Sequence, residues 1–299
     1  MRFSTKVEEV FRALIRAATS SQQGRRGLIF IGGCPRSGTT ALQVFLSGHP
    51  AIATVRETHL FDFYLGPFLE RYRNEAQVTM SNDGIRNLVS DSDMARWCKS
   101  IADTVFERVL KLKPGAAIVL EKTPGNAMFA GTIADLYPDA SFISVIRDPR
   151  AVAASLMAAS AHSWGAWAPS TAADAAQRWL DAIAALPAID RSFGRRHIRV
   201  RYEDFIDARS DARTTLIAFL ASQCPDQAFR PSQFALPAAG LTADLGLSDD
   251  RYNPTKDDRA DFFRRGTPDG WRTELTRADI ETIEVLCRDD MEKLGYVHT

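Results

Sequence analysis

With 299 residues, 45% of them hydrophobic and 25% charged, the chain has enough apolar material for one large or two small cores, and it shows no internal repeat or low-complexity tract. Lysine plus arginine number 37 and aspartate plus glutamate 37, a balance that excludes the bulk basic surface of a nucleic-acid-binding domain but leaves room for a few arginines around a small polyanion. No apolar run approaches the ~18 residues of a membrane span, and the four cysteines form no C-x-x-C pair, so a soluble, cytoplasmic chain with free thiols, no signal peptide and no structural zinc is expected.

In chain order, Phe3, Val7, Val10, Phe11, Leu14 and Ile15 fall on one face at helical spacing, predicting an amphipathic helix packed on the body rather than on a membrane. Ser20–Arg26 is a polar linker, so residues 1–26 form an arm ahead of a main domain over 27–299. Leu28–Gly32 is apolar or glycine throughout and predicts a buried parallel strand. It runs into Gly33-Cys34-Pro35-Arg36-Ser37-Gly38-Thr39-Thr40, and a helical pattern follows through Leu42, Val44, Phe45 and Leu46. A strand, a glycine-punctuated turn and a helix start turn their N–H groups and the positive helix end toward one small volume, which is a phosphate cradle. The spacing is that of a nucleotide-triphosphate loop, G-x-x-x-x-G-K-[ST], except that Thr39 replaces the lysine and the positive side chain is Arg36.

Pro35-Arg36-Ser37-Gly38-Thr39-Thr40 after a hydrophobic strand resembles the 5′-phosphosulfate loop of the sulfotransferases that use 3′-phosphoadenosine-5′-phosphosulfate (PAPS). The arginine variant is similar to that of the tyrosylprotein sulfotransferases and many bacterial homologues, whereas cytosolic steroid and phenol sulfotransferases carry lysine there. The resemblance implies that Arg36, Ser37, Gly38, Thr39 and Thr40 hold the phosphosulfate and that Arg36 acts in catalysis.

Ala51–Val55 predicts a second short strand, leading into Glu57-Thr58-His59-Leu60-Phe61-Asp62. This stretch resembles the E-x-H-F-F-D of heparan sulfotransferases, and its distance from the loop matches the catalytic glutamate of the tyrosylprotein enzymes. The resemblance makes Glu57 the general base, with His59 as its rival. Phe61–Tyr72 is rich in aromatic residues that either pack in the core or line an acceptor pocket. A helix is expected between Asp93 and Lys113, where Trp97, Ile101, Val105 and Val109 recur at i, i+4 and core packing accounts for most of them.

Ala116–Leu120 predicts the third strand, followed by Glu121-Lys122-Thr123-Pro124. Lys122 resembles the lysine of the family's K-x-P motif, near the transferred sulfonate. Ala140–Ile146 predicts the fourth strand, and Pro149 suits the first turn of the helix after it. The stretch from Val145 to Leu156 resembles the family's 3′-phosphate site, which implies that Arg147 and Ser155 grip that phosphate. Ala158–Ala173, with Trp164 and Trp167, reads equally as a lid or as packing. Ile198–Tyr202 predicts the fifth strand. It continues into Glu203-Asp204, similar to a common Y-E-D-L element that implies a cofactor contact for Tyr202. Arg264, Arg265 and Gly266, before Trp271, resemble the loop that folds over the 3′-phosphate in the cytosolic enzymes, with a glycine and an aspartate exchanged. Leu275-Thr276 and Gly295 bound a last helix.

Strand–helix alternation with ligand motifs at strand ends predicts an α/β, three-layer, P-loop-like fold: a roughly five-stranded parallel sheet flanked by helices, here a single catalytic domain over 27–299. The resemblance, from about Leu28 to Leu294, implies sulfonate transfer from PAPS as co-substrate, without a required metal, to a small-molecule, carbohydrate or peptide acceptor. A P-loop kinase or NTPase, or a non-catalytic protein that binds 3′,5′-ADP, are the alternatives. The missing lysine at Thr39 argues against the first, and the intact Arg36 and Glu57 argue against the second.

Overall fold

The computed structural model describes residues 27–75, 83–234, 248, 251 and 267–297. The predicted helix over 3–18 and the predicted cofactor residues Arg264, Arg265 and Gly266 lie outside the described residues.

The first strand, β1 (Gly27–Gly33), leads into helix α1 (Thr39–Ser47), and β2 (Ile52–Thr54) follows after a turn. A wide π-helical turn (Leu60–Leu65) continues into α2 (Gly66–Arg73), then α3 (Asp91–Leu112) and β3 (Ile118–Lys122). The alternation goes on through α4 (Ala130–Leu136), β4 (Ser141–Ile146), α5 (Pro149–Ser160), α6 (Ala172–Ala184), α7 (Leu186–Phe193) and β5 (His197–Arg201). Short α8 (Tyr202–Ile206) and α9 (Ala212–Gln223) come next, then α10 (Trp271–Glu274) and α11 (Arg277–Lys293). The five strands form one parallel sheet in the order β2-β3-β1-β4-β5.

A parallel sheet covered on both faces needs strands that are apolar on both sides. In β1, Ile29 and Ile31 face one core with Phe45, Phe205 and Leu216. Phe30 between them faces the other, with Phe106, Phe142 and Trp179. Helices α1, α8 and α9 cover the first face, and α3 to α7 with α11 cover the second, which gives the three predicted layers.

Register fixes where the loops meet. Ile31 pairs with Lys122 and Gly33 with Val145, so the ends of β1, β3 and β4 lie side by side at one carboxyl edge. The connections leave β1 and β4 in opposite directions along the sheet, where α/β folds bind ligands.

Two helix starts follow the sequence closely. Ser90 caps α3 and Thr276 caps α11, each in a reciprocal arrangement with an aspartate at the third helical position, Asp93 and Asp279. The second of these helices is tied back to the edge of the site. Arg150, in the first turn of α5, is buried between Asp148 (2.7 Å) and Glu284 of α11 (2.5 Å), with Trp271 stacked 4.1 Å from its guanidinium.

Of the i, i+4 row on α3, Val109 is buried and Val105 packs against the core as expected, and the other two residues depart from expectation. Trp97 and Ile101 are about half exposed, 51% and 52%, while Met94, Ala95, Cys98, Ala102 and Phe106 take the core. The helix carries two apolar stripes, and the one with smaller residues fits against the sheet while Trp97 and Ile101 face water. In the 161–171 connection, Trp164 packs against the core and stacks on His162 at 5.1 Å.

Candidate active site

The loop between β1 and α1 is shaped by its glycines. Gly38 caps α1 with φ 94°, and a Cβ there would fall 2.2 Å from the Tyr202 ring. Both the backbone conformation and the space therefore demand glycine. No side chain caps the start of α1, so its first N–H groups point to the loop cavity unpaired by a cap.

Among the described residues two non-glycines adopt a positive φ, Arg36 (71°) and His59 (52°). Left-handed backbone at non-glycine residues is costly and persists where the surroundings enforce it, often at functional sites. These two flank the same carboxyl edge, one on the phosphate loop and one after β2.

The predicted site residues gather in two groups. In the first, Lys122 Nζ, buried at the end of β3, donates to Glu57 Oε1 (2.5 Å) and to Thr40 Oγ1 on the phosphate loop (3.3 Å). One ammonium thus bridges the predicted base and the start of α1. In the second group Arg36 Nε donates to Ser155 Oγ (2.9 Å), and Arg147 donates to the Arg36 carbonyl (3.1 Å) and to that of Thr267 (3.2 Å). The Arg147 guanidinium lies 4.4 Å from the centre of the Tyr202 ring, and Trp179 Nε1 donates to the Arg147 carbonyl (2.9 Å). Burial pushes the Tyr202 phenol above its ordinary pKa, against the opposing pull of Arg147. The Arg36 side chain therefore belongs with Ser155 and its carbonyl with Arg147, which lies on Tyr202, and Glu57 belongs with Lys122 and Thr40.

Two buried polar atoms in the cradle, Ser37 Oγ and Arg147 Nε, have no hydrogen-bond partner among the described residues. Unpaired buried donors of this kind are costly and call for a ligand. With the uncapped start of α1 and the convergence of Arg36, Lys122 and Arg147, the cradle fits an anion that carries several phosphate-like groups.

His59 is held by three neighbours. Its Nδ1 lies 3.0 Å from Asp62 Oδ2, its Nε2 3.5 Å from Glu57 Oε2, and its ring stacks on Phe63 at 4.2 Å. The hydrogen bond to Asp62, with the charges of Asp62 and Glu57, holds its pKa above the ordinary 6.5 against the opposing effect of burial. The same contacts place the imidazole against the second oxygen of the Glu57 carboxylate.

Sequence reasoning quoted Glu121 without giving it a role. It is fully buried in β3, and burial pushes its carboxyl above the ordinary pKa. Thr58 Oγ1 and Thr123 Oγ1 each donate to its Oε1 at 2.7 Å, and Asn126 Nδ2 donates to Oε2. Thr123 Oγ1 also accepts from the His59 N–H (3.3 Å) and Thr58 Oγ1 from that of Leu60 (3.2 Å). Glu121 is therefore the anchor of the turn that carries Glu57 and His59. The available signal was an acid directly at the end of the apolar run Ile118-Val119-Leu120.

Comparison with known proteins adds four findings. Residues 29–226 match the model of the Sulfotransferase family. The nodulation protein NoeE of Sinorhizobium fredii is 27% identical over 289 residues, 90% of this chain and 66% of that protein. The protein-tyrosine sulfotransferase of Drosophila melanogaster is 26% identical over 209 residues, 69% of this chain and 40% of that protein. The chain thus spans less than two thirds of the length of either relative. Among solved structures, mouse sulfotransferase SULT7A1 complexed with PAP shares the fold, with a TM-score of 0.53 over 94% of this chain and 91% of that one at 15% identity.

Proposed function

The chain belongs to the sulfotransferase family, and we propose that it transfers a sulfonate group from PAPS to the hydroxyl of a small-molecule, carbohydrate or peptide acceptor. The observation that carries this is the Glu57–Lys122–Thr40 chain, a carboxylate coupled through one buried ammonium to the phosphate loop. The unpaired Ser37 Oγ and Arg147 Nε support a nucleotide with phosphate groups at both ends, and the fold neighbour from mouse was solved with PAP.

When bound, the co-substrate supplies the sulfonate and a phosphate leaving group. The chain's own residues divide the remaining work. Ser37, Thr39, Thr40 and the N–H groups at the start of α1 hold the 5′ end, and Arg147 with Ser155 holds the 3′-phosphate. Lys122, bonded to Thr40 of the phosphate loop, places positive charge where negative charge develops on the leaving oxygen. Arg36, whose Nε donates to Ser155, adds a second charge there once a bound 3′-phosphate takes up that serine. Glu57 accepts the acceptor's proton at a carboxylate oxygen. Lys122 holds that carboxylate in place, and His59 supports it from the other oxygen.

Isothermal titration tests the nucleotide site directly. 3′,5′-ADP is expected to bind about a hundredfold or more tighter than 5′-AMP, since each charge-assisted contact to the 3′-phosphate contributes roughly 1.5–3 kcal/mol. Equal affinities would overturn the assignment of Arg147 and Ser155. Transfer of labelled sulfonate from PAPS to a screened panel of alcohols, sugars and tyrosyl peptides then tests the reaction.

A further inference from the structure

Beside Glu57 the surface opens into a groove of about 610 Å³, within the range of small-molecule sites. Its walls include Leu60, Phe63 and Tyr64 of the π-helical turn, Phe68 of α2, and Ile101 and Val105 of α3. Resting on the sulfonate-transfer reading above, we infer that the acceptor is a neutral alcohol with an extended aliphatic body, which lies in this groove with its hydroxyl at Glu57.

Continuity joins the groove to the base. Thr58, next in sequence to Glu57, belongs to the lining, and the Phe63 ring stacks on His59, whose Nε2 lies 3.5 Å from Glu57. The apolar walls face water: Phe63 and Tyr64 are each 64% exposed, Phe68 48% and Ile101 52%. Contiguous exposed apolar surface of this kind marks a binding site.

The lining also discriminates among acceptors. Among the described residues it contains no charged side chain, so an anionic acceptor would lose hydration there without compensation. The Thr58 hydroxyl is committed to Glu121 and to the Leu60 N–H, which leaves the Tyr64 hydroxyl as the polar side-chain group of the wall. A sugar would set several hydroxyls against apolar surface with too few partners. The walls are helical, with backbone N–H and C=O groups bonded along the helices, so they offer no strand edge on which an extended peptide would pair. An aliphatic chain requires only apolar contact. Ile101 and Val105, one helical turn and roughly 6 Å apart along α3, face Phe63, Tyr64 and Phe68 across the groove and leave a track suited to a linear body.

The test measures kcat/KM with PAPS for 1-butanol through 1-decanol, alongside a free hexose and N-acetyltyrosinamide, and titrates 3′,5′-ADP into the same preparation. The expected result is a rise of about two- to fourfold per added methylene until the groove is filled. In Ile101→Asp and Phe68→Asp, both changes at water-facing positions, that slope should vanish while 3′,5′-ADP affinity is kept. The inference is overturned if 3′,5′-ADP binds but kcat/KM is flat with chain length, if no alkanol is turned over, or if a polar acceptor surpasses 1-decanol. A preparation that fails to bind 3′,5′-ADP would instead overturn the nucleotide reading, and the inference with it, and the titration distinguishes that failure because it needs no acceptor.

Discussion

His59 lies between the carboxylates of Glu57 and Asp62, which raise its pKa, and this decides what replacing it should do. Its folded-state pKa is raised, so the fold favours the charged imidazole. That contribution is fully present below the ordinary value of 6.5 and is lost as pH rises through the raised value. His59→Asn should therefore melt below the wild type most clearly below pH 6.5, and the gap should close as pH rises through the raised value, read from thermal melts across that range. A gap that widens with pH would contradict the charged state. Glu57→Gln keeps the shape of the side chain but removes the proton acceptor, and turnover should fall by about 10²–10⁴ with 3′,5′-ADP affinity kept. His59→Asn should cost less turnover than that. If His59→Asn is dead and Glu57→Gln retains wild-type turnover, the base is the histidine.

At the scale of the element, the phosphate loop is defined by what lies beneath it. Gly38→Ala places a methyl 2.2 Å from the Tyr202 ring at a backbone φ of 94°. The left-handed conformation alone costs a side chain about 1–2 kcal/mol, and the ring adds a clash, so the loop must shift and 3′,5′-ADP affinity should drop. Gly38→Ala combined with Tyr202→Leu should recover only part of it, because the second change relieves the clash and not the φ. Affinity measured by titration checks both, and an unchanged Kd in Gly38→Ala would show that the loop tolerates displacement. The loop and the helix after it were legible in the sequence, because glycine spacing and apolar runs are local signals. The orientation of α3 was not. Periodicity reveals that stripes exist, but Trp97-Ile101-Val105 and Cys98-Ala102-Phe106 both repeat at helical spacing, and only the placement of the helix on the core turns the second inward and leaves Trp97 and Ile101 in water. Glu121 was hidden for a related reason. Its partners Thr58, Thr123 and Asn126 gather only once β3 is placed beside the end of β2.

Across the whole molecule, the five parallel strands and the three layers follow from motifs that could be counted in order along the chain. The division of the site did not: Arg36 turns to Ser155, 119 residues away, and Glu57 to Lys122, 65 residues away. A ligand that reaches from the phosphate loop to Arg147 joins β1, β4 and α5. At about a hundred times its Kd, 3′,5′-ADP should stabilise the fold by about 2.7 kcal/mol and raise Tm by about 4 °C, with 5′-AMP at equal concentration giving far less. Glu284→Ala removes one of the two carboxylates around Arg150, and leaving that buried cation short of a partner should cost up to about 3–5 kcal/mol in denaturant unfolding. The same contact sets a clock on biogenesis. Arg150 leaves the ribosome 134 residues ahead of Glu284, and at about 5–20 residues per second its second carboxylate arrives some 7–27 s later. Throughout that interval the nascent chain holds a partly neutralised arginine at the start of α5, about one and a half turns from Ser155, and only the late arrival of α11 completes its cage.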